Sequence, residues 1–192
     1  MKLYEHILNG SIHIERNFLE PKLYTKMSKE ISKLKYNAGC QPGALYFGNR
    51  FQAYPTNEVD HWNKYKDIVA KKIENLLGCK IKNVHSKLRK IITKELLKSK
   101  TNTPYGIIHQ DSDENQFAAV MPFYQSNSGG TAFFEYVFDK CPDIQIGAYP
   151  NRLIIYNAKR NHAACNDFTF KETYKLNIFF TNNEFEKSKI KE

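Results

Sequence analysis

The chain has 192 residues, 41% apolar, 26% charged and 14% aromatic, with a net charge of +9. Those figures describe one ordinary domain able to close its own core, and they exclude a disordered or collagen-like chain. No apolar run reaches the roughly 18 residues of a membrane helix. The opening Met1-Lys2-Leu3-Tyr4-Glu5-His6 sets acid and imidazole ahead of any long apolar stretch, unlike a secretory leader. The expectation is a cytoplasmic protein (host cytoplasm if the source is viral, as the Lys-, Asn- and Ile-rich composition suggests). Ser11–Glu15 alternates like a short strand. Pro21 suits a first helical position, and Leu23, Met27, Ile31 and Leu34 then recur on one face, predicting a helix over Lys22–Lys35. Gly43–Tyr54 is aromatic and β-like. A second helix is predicted from about Val59 to Leu77, with Trp62, Tyr65, Val69, Ile73 and Leu76 as its buried stripe and Gly78 as its stop. Trp62 reads as helix packing.

From residue 80 the pattern changes to strands. Val84–Thr93 alternates loosely, and Glu95–Tyr105 reads as a polar loop. Gln116–Tyr124 is nearly continuous apolar sequence, as in a strand covered on both faces. Asn127-Ser128-Gly129-Gly130 reads as a turn. Thr131–Phe138, Ile144–Tyr149, Arg152–Asn157 and Phe168–Thr181 supply further strands, and Glu184–Glu192 is a charged tail. Helices followed by many short strands argue an α+β sandwich or barrel. With no repeat and no linker, one domain spans 1–192. Helical support occupies about 19–78 and the barrel about 80–182.

Charge divides the chain. Residues 1–100 hold 20 Lys and Arg against 9 acids, and the remainder holds 9 against 11. Between Lys80 and Lys100 eight basic residues face only Glu95. Such a run is either a solvated face or a surface that tracks phosphates. Lys outnumbers Arg 24 to 5, which weighs against nucleic acid, because Arg is the better bidentate reader. The four cysteines (Cys40, Cys79, Cys141, Cys165) lack zinc-knuckle spacing and read as free thiols.

His109-Gln110-Asp111 precedes the apolar run, and on extended backbone residues i and i+2 share a face. His162 follows Arg152–Asn157. Two imidazoles and one carboxylate form the donor set that occupies one face of a six-coordinate ferrous ion and leaves three positions open. Taken alone, H-x-D is a weak pattern that a surface turn also produces.

Four segments in order resemble the Fe(II)- and 2-oxoglutarate-dependent dioxygenases, above all the small prolyl-hydroxylase-like phage and bacterial members. His109-x-Asp111 stands before the apolar strand Phe117–Tyr124. Gly129-Gly130-Thr131-Ala132-Phe133-Phe134 forms a Gly-Gly entry into an aromatic strand. Arg152-Leu153-Ile154-Ile155-Tyr156 leads toward His162. Lys175-Leu176-Asn177-Ile178-Phe179-Phe180 resembles the strand whose basic residue binds the distal carboxylate of 2-oxoglutarate. The likeness covers about 84–181 and, more weakly, 11–35 with Asn17-Phe18-Leu19. It implies a double-stranded β-helix (a cupin-like jelly roll) with the N-terminal helices packed on one sheet.

The resemblance also implies Fe(II) on His109, Asp111 and His162, with Lys175 holding 2-oxoglutarate and Asn177 and Tyr124 assisting it. Dioxygen and 2-oxoglutarate would be consumed, giving succinate and CO2 while a substrate C–H bond is hydroxylated. Most members carry Arg at the anchor, the prolyl 4-hydroxylase branch carries Lys, and Lys175 lies 13 residues past His162 rather than about ten. Lys171 competes with Lys175. The latter is preferred because an ammonium inside an apolar strand requires an anion. Tyr105 is a candidate for the mouth, Asp113 for orienting a ligand or water, and Arg160 for either a substrate contact or an exposed position. Loops Gly43–Asn57, Glu95–Tyr105 and Lys140–Pro150 would set specificity. An acidic peptide or protein with a prolyl-type target residue is the first expectation, and a small-molecule substrate the next. The alternatives are a basic nucleic-acid-binding domain, or a metal-binding cupin-like protein without turnover.

Overall fold

The computed structural model describes residues 2–38, 52–55, 58–98, 104–111 and 116–182. The chain runs α1 (Leu3–Leu8), β1 (His13–Glu15), α2 (Pro21–Lys33), β2 (Tyr36–Ala38), β3 (Gln52–Pro55), α3 (Glu58–Leu77), β4 (Ile81–Ile92) and α4 (Thr93–Leu97). It continues with β5 (Phe117–Pro122), β6 (Ser126–Phe133), β7 (Ile144–Ala148), β8 (Leu153–Asn157), β9 (His162–Cys165) and β10 (Glu172–Asn182). A seven-stranded sheet has the order β1-β8-β5-β10-β4-β3-β2, and a three-stranded sheet the order β7-β6-β9. Every pairing between these strands is antiparallel.

The pleat of the large sheet separates two cores. Leu176, Ile178 and Phe180 of β10 join Phe117, Ala119 and Met121 of β5 beneath Tyr4 and Ile7 of α1, Met27 and Ile31 of α2, and Tyr65, Val69 and Ile73 of α3. The opposite face turns toward the small sheet. There Ala118, Val120, Ile154, Tyr156 and Phe179 pack against Phe133 and Ile146. All six residues of β5 are buried, so its continuous apolar pattern has the reason anticipated for it.

Helix signals worked because they are local. Pro21 opens α2 as its first or second residue. Leu23 and Leu34 flank buried Met27 and Ile31 at the edge of the helix-side core. α3 ends at Gly78, whose φ of +69° suits the left-handed stop and whose N–H bonds the Glu74 carbonyl at 2.9 Å. The Trp62 side chain and most of Gly43–Asn57 lie outside the described residues.

Several expectations change. Residues 127–130, read as a turn, lie inside β6. Ser126 pairs with Ala148 and Thr131 with Ile146, so five steps on β6 oppose two on β7. This is a wide bulge, and Gly130 makes it possible. It has φ +116°, and a Cβ there would stand 2.1 Å from the Ile146 carbonyl oxygen. The strand stops at Phe133, and Phe138, expected inside it, is 91% exposed. The beginning of the Glu95–Tyr105 loop is helical, as α4. β10 starts at Glu172, not Phe168. α1 and β9 carried no sequence signal that was read. The short strand expected at Ser11–Glu15 is present as β1, which extends the sheet beside β8, and β3, at the end of the span read as β-like, pairs with β4.

Candidate metal centre

His109 and His162 lie 53 residues apart in sequence, yet a two-way backbone bridge joins them. Each N–H donates to the other's carbonyl at 3.0 Å. The Asp111 N–H donates to the Ala158 carbonyl at 2.9 Å, and the Ala158 N–H donates to Gln116 at 2.9 Å. The H-x-D segment is thus fastened alongside residues 158–162, and this register brings the three side chains together. One ligand atom from each of His109, Asp111 and His162 lies within 4.8 Å of the others. The exposed, half-buried and buried positions of the three grade from mouth to interior.

Hydrogen bonds fix the tautomers. His109 Nδ1 lies 2.9 Å from the Ile107 carbonyl oxygen, and His162 Nδ1 lies 2.9 Å from that of Arg160. A carbonyl only accepts, so each Nδ1 must donate, and in the neutral ring Nε2 is then left as a lone pair. Both Nε2 atoms point at Asp111, from His109 at 3.9 Å and from His162 at 3.5 Å. Asp111 Oδ2 is buried without a hydrogen-bond partner. Burial lowers the His162 pKa to about 4, with the backbone bond to Arg160 opposing and the fields of His109, Lys175 and Arg89 reinforcing it. At neutral pH this imidazole therefore carries no charge to pair with Asp111. Burial also raises the Asp111 pKa, against the pull of His109, Arg89, Lys87 and His85. Three lone pairs converging on one point repel one another unless a cation joins them. The set has the composition and the orphaned oxygen that a divalent ion with mixed nitrogen and oxygen preference requires.

Aromatic rings wall the centre. Tyr156 is fully buried 4.8 Å from the His162 ring, and Phe133 lies 5.0 Å from Tyr156. Neither ring was anticipated as part of the site. The strand signal placed both in a core, and only the fold shows that this core is the floor of the centre.

Behind it, on the small-sheet side of β10, stand Thr173, Lys175 and Asn177. Lys175 is 8% exposed, and its pKa is lowered to about 8, first by burial and then by Arg89, with Cys165 pulling it back. Lys171 is exposed. Asn177 Oδ1 is buried without a partner. The Tyr124 hydroxyl is bonded to the Gly130 backbone and the Thr173 side chain, and its pKa is raised to about 12 by burial and by Asp167. Tyr124 and Lys175 both feel Cys165, so the three close the same end of the interior. Thr173 was missed at the sequence level, although it sits two residues before Lys175 on the same face.

Arg160 is half-buried rather than exposed. It donates to the Gly10 carbonyl and lies 5.4 Å over the Phe133 ring, tying the N-terminal segment to the small sheet. Tyr105 donates to Gln145 at 3.3 Å and sets its edge against Phe134. Asp113 lies outside the described residues. No helix among the described residues is long and apolar enough to cross a membrane.

No protein-family model and no curated protein matches the sequence. Solved structures do match its shape. A prolyl hydroxylase from Trichoplax adhaerens, in complex with a hypoxia inducible factor oxygen degradation domain peptide fragment, aligns with a TM-score of 0.60. Identity is 13%, over 95% of this chain and 90% of that one. A 2OG-Fe(II) oxygenase family oxidoreductase from Burkholderia pseudomallei gives 0.58 at 11% identity, over 93% and 88%. The alpha-ketoglutarate-dependent epimerase SnoN from nogalamycin biosynthesis gives 0.61 at 11%, over 93% and 82%. The shared property is the fold, the double-stranded β-helix of the 2-oxoglutarate oxygenases.

Proposed function

We propose that this chain is an Fe(II)- and 2-oxoglutarate-dependent dioxygenase that hydroxylates a C–H bond. The observation that carries the reading is the convergence on one point of two Nε2 atoms, whose rings are held through Nδ1, and an unpartnered buried carboxylate oxygen. In this reading His109, Asp111 and His162 hold the metal. Iron bound there supplies the oxidising chemistry, drawing on dioxygen and the decarboxylation of 2-oxoglutarate to succinate.

The chain's own residues bind, orient and exclude. The Ile107 and Arg160 carbonyls hold the two imidazole rings in register. Lys175 meets the distal carboxylate of 2-oxoglutarate with its ammonium, and Tyr124, with its phenol kept protonated, offers the same carboxylate a hydroxyl proton. Asn177 supplies a further polar group on the Lys175 face. Tyr156 and Phe133 keep water from the inner side of the centre. A peptidyl, prolyl-type residue is the substrate class favoured, on the strength of a neighbour solved with a peptide. Since an epimerase shares the fold, product analysis assigns the outcome.

Anaerobic titration with Fe(II) and then 2-oxoglutarate tests the reading. A weak visible charge-transfer band is expected in the wild type and none in His109→Ala. With no band, and no rise in melting temperature on adding 2-oxoglutarate, the reading fails.

A further inference from the structure

The site side of the sheet holds more cations than the cosubstrate uses. Arg89 of β4 stands directly opposite Lys175 of β10, and the pairs Lys87–Asn177 and His85–Phe179 continue the register. Opposed residues of an antiparallel pair share a face, so His85, Lys87 and Arg89 lie on the side of the sheet that holds the metal centre, His85 exposed and Lys87 and Arg89 half-buried. Side-chain contacts agree: the His85 ring stacks 5.2 Å from Phe179, and Lys87 lies 6.0 Å over the same ring. Arg89 is the member of the three that acts most widely on the site. Its field reaches Asp111, Tyr156, His162 and Lys175. Its Nε is buried without a hydrogen-bond partner, and no carboxylate of the described residues forms an ion pair with it.

Charge counting gives Arg89 a task. This task presupposes the function proposed above. A ferrous ion and the Lys175 ammonium together balance Asp111 and the two carboxylates of 2-oxoglutarate. The loaded centre is then neutral before Arg89 is counted. A guanidinium facing that interior requires an anion of its own, and the planar fork suits a carboxylate. We infer that Arg89 receives a carboxylate of the primary substrate, making this an oxygenase of carboxylate-bearing substrates. The carboxylate is either that of a free acid or the side chain of an acidic residue beside the target carbon.

Calorimetric binding to protein loaded with Mn(II) and 2-oxoglutarate, without turnover, tests this with two matched pairs. One pair is N-acetyl-L-proline and its amide. The other is the capped dipeptide Pro-Glu and its Pro-Gln counterpart. The inference expects at least one acid to bind tenfold or more tighter than its neutral partner. That preference should shrink to within twofold in Arg89→Gln and be partly retained in Arg89→Lys, with 2-oxoglutarate affinity unchanged in both. The responding pair identifies the source of the carboxylate. Equal binding of acid and neutral forms in the wild type overturns the inference, as does a preference that survives Arg89→Gln. A tenfold loss of 2-oxoglutarate affinity in Arg89→Gln also overturns it, by assigning the guanidinium to the cosubstrate. Failure of the wild type to load Mn(II) and 2-oxoglutarate sinks the functional reading itself, and is seen before any probe is added.

Discussion

The two faces of β10 obey opposite rules. Leu176, Ile178 and Phe180 are buried against the helices in a purely apolar core. One residue out of step, Thr173 and Lys175 are also buried and Asn177 half-buried, but with a lowered ammonium pKa and an unpartnered amide oxygen. The first face lowers the free energy of the fold. The second raises it, a cost that the proposed function assigns to an incoming ligand. Burial alone therefore does not identify a stabilising residue. The kind of atom buried, and whether it has a partner, separates the two faces.

The largest effect expected on the polar face is at Asp111. Asp111→Asn should cost more than a hundredfold in Fe(II) affinity and abolish succinate release, since even the groups that merely orient ligands are worth 10- to 100-fold in other metal sites. The same variant should raise the melting temperature of the metal-free protein. An amide can donate to His162 Nε2, where the carboxylate now opposes a lone pair at 3.5 Å. Calorimetry with and without metal checks both halves. A metal-free melting temperature that falls would remove the argument that the triad is strained without its ion.

The apolar face should respond in the reverse sense. Ile178 is completely buried, and Ile178→Ala removes most of a side chain from the helix-side core. A loss of about 2–5 kcal/mol is expected, with a drop in melting temperature of roughly 5–15 °C for a domain of this size. Metal affinity should stay within about threefold. Three residues away, Lys175→Met should stabilise the ligand-free protein by on the order of 1–3 kcal/mol, because it removes a buried charge of about the same volume. It should also weaken 2-oxoglutarate binding tenfold or more. If Lys175→Met destabilises the protein and leaves binding intact, the contrast between the two faces disappears.

This contrast explains what could be read from the chain. The H-x-D pattern and the distal His162 could be named from their donor types and their order among segments that resemble the dioxygenases, and Lys175 because it interrupts an apolar strand. The basic run Lys80–Lys100 could not be resolved, because its meaning depends on which pleat each residue takes. Register assigns Lys87 and Arg89 to the interior. Lys90 falls on the other face, 2.6 Å from Glu172 and over the rings of Tyr36 and Tyr174. Along β4 this charge run thus divides between the two faces of the sheet, with Lys90 in an ion pair on the side away from Lys87 and Arg89. The bulge at Gly130 was likewise hidden, since a Gly-Gly pair announces unusual backbone without saying whether the strand turns or continues. β9 was missed because His-Ala-Ala-Cys is too short for its period to show.

The smallest predicted effect tests the polar face most selectively, because it changes one proton. Lys175 titrates near 8 in the ligand-free fold against 10.5 in the unfolded chain. Between those values the unfolded state binds more protons, so stability should rise as pH increases from about 8 to 10.5. Ligand binding runs the other way. The distal carboxylate needs the ammonium, and above pH 8 the empty site must take up a proton before 2-oxoglutarate is held. Affinity should therefore fall with pH, approaching tenfold per unit, while the fold itself becomes firmer. Lys175→Arg, which stays charged throughout this range, should flatten both curves. Opposite slopes in one protein, lost together in one variant, would tie the cost of the buried cation to the ligand that offsets it. Parallel slopes would place the 2-oxoglutarate carboxylate elsewhere.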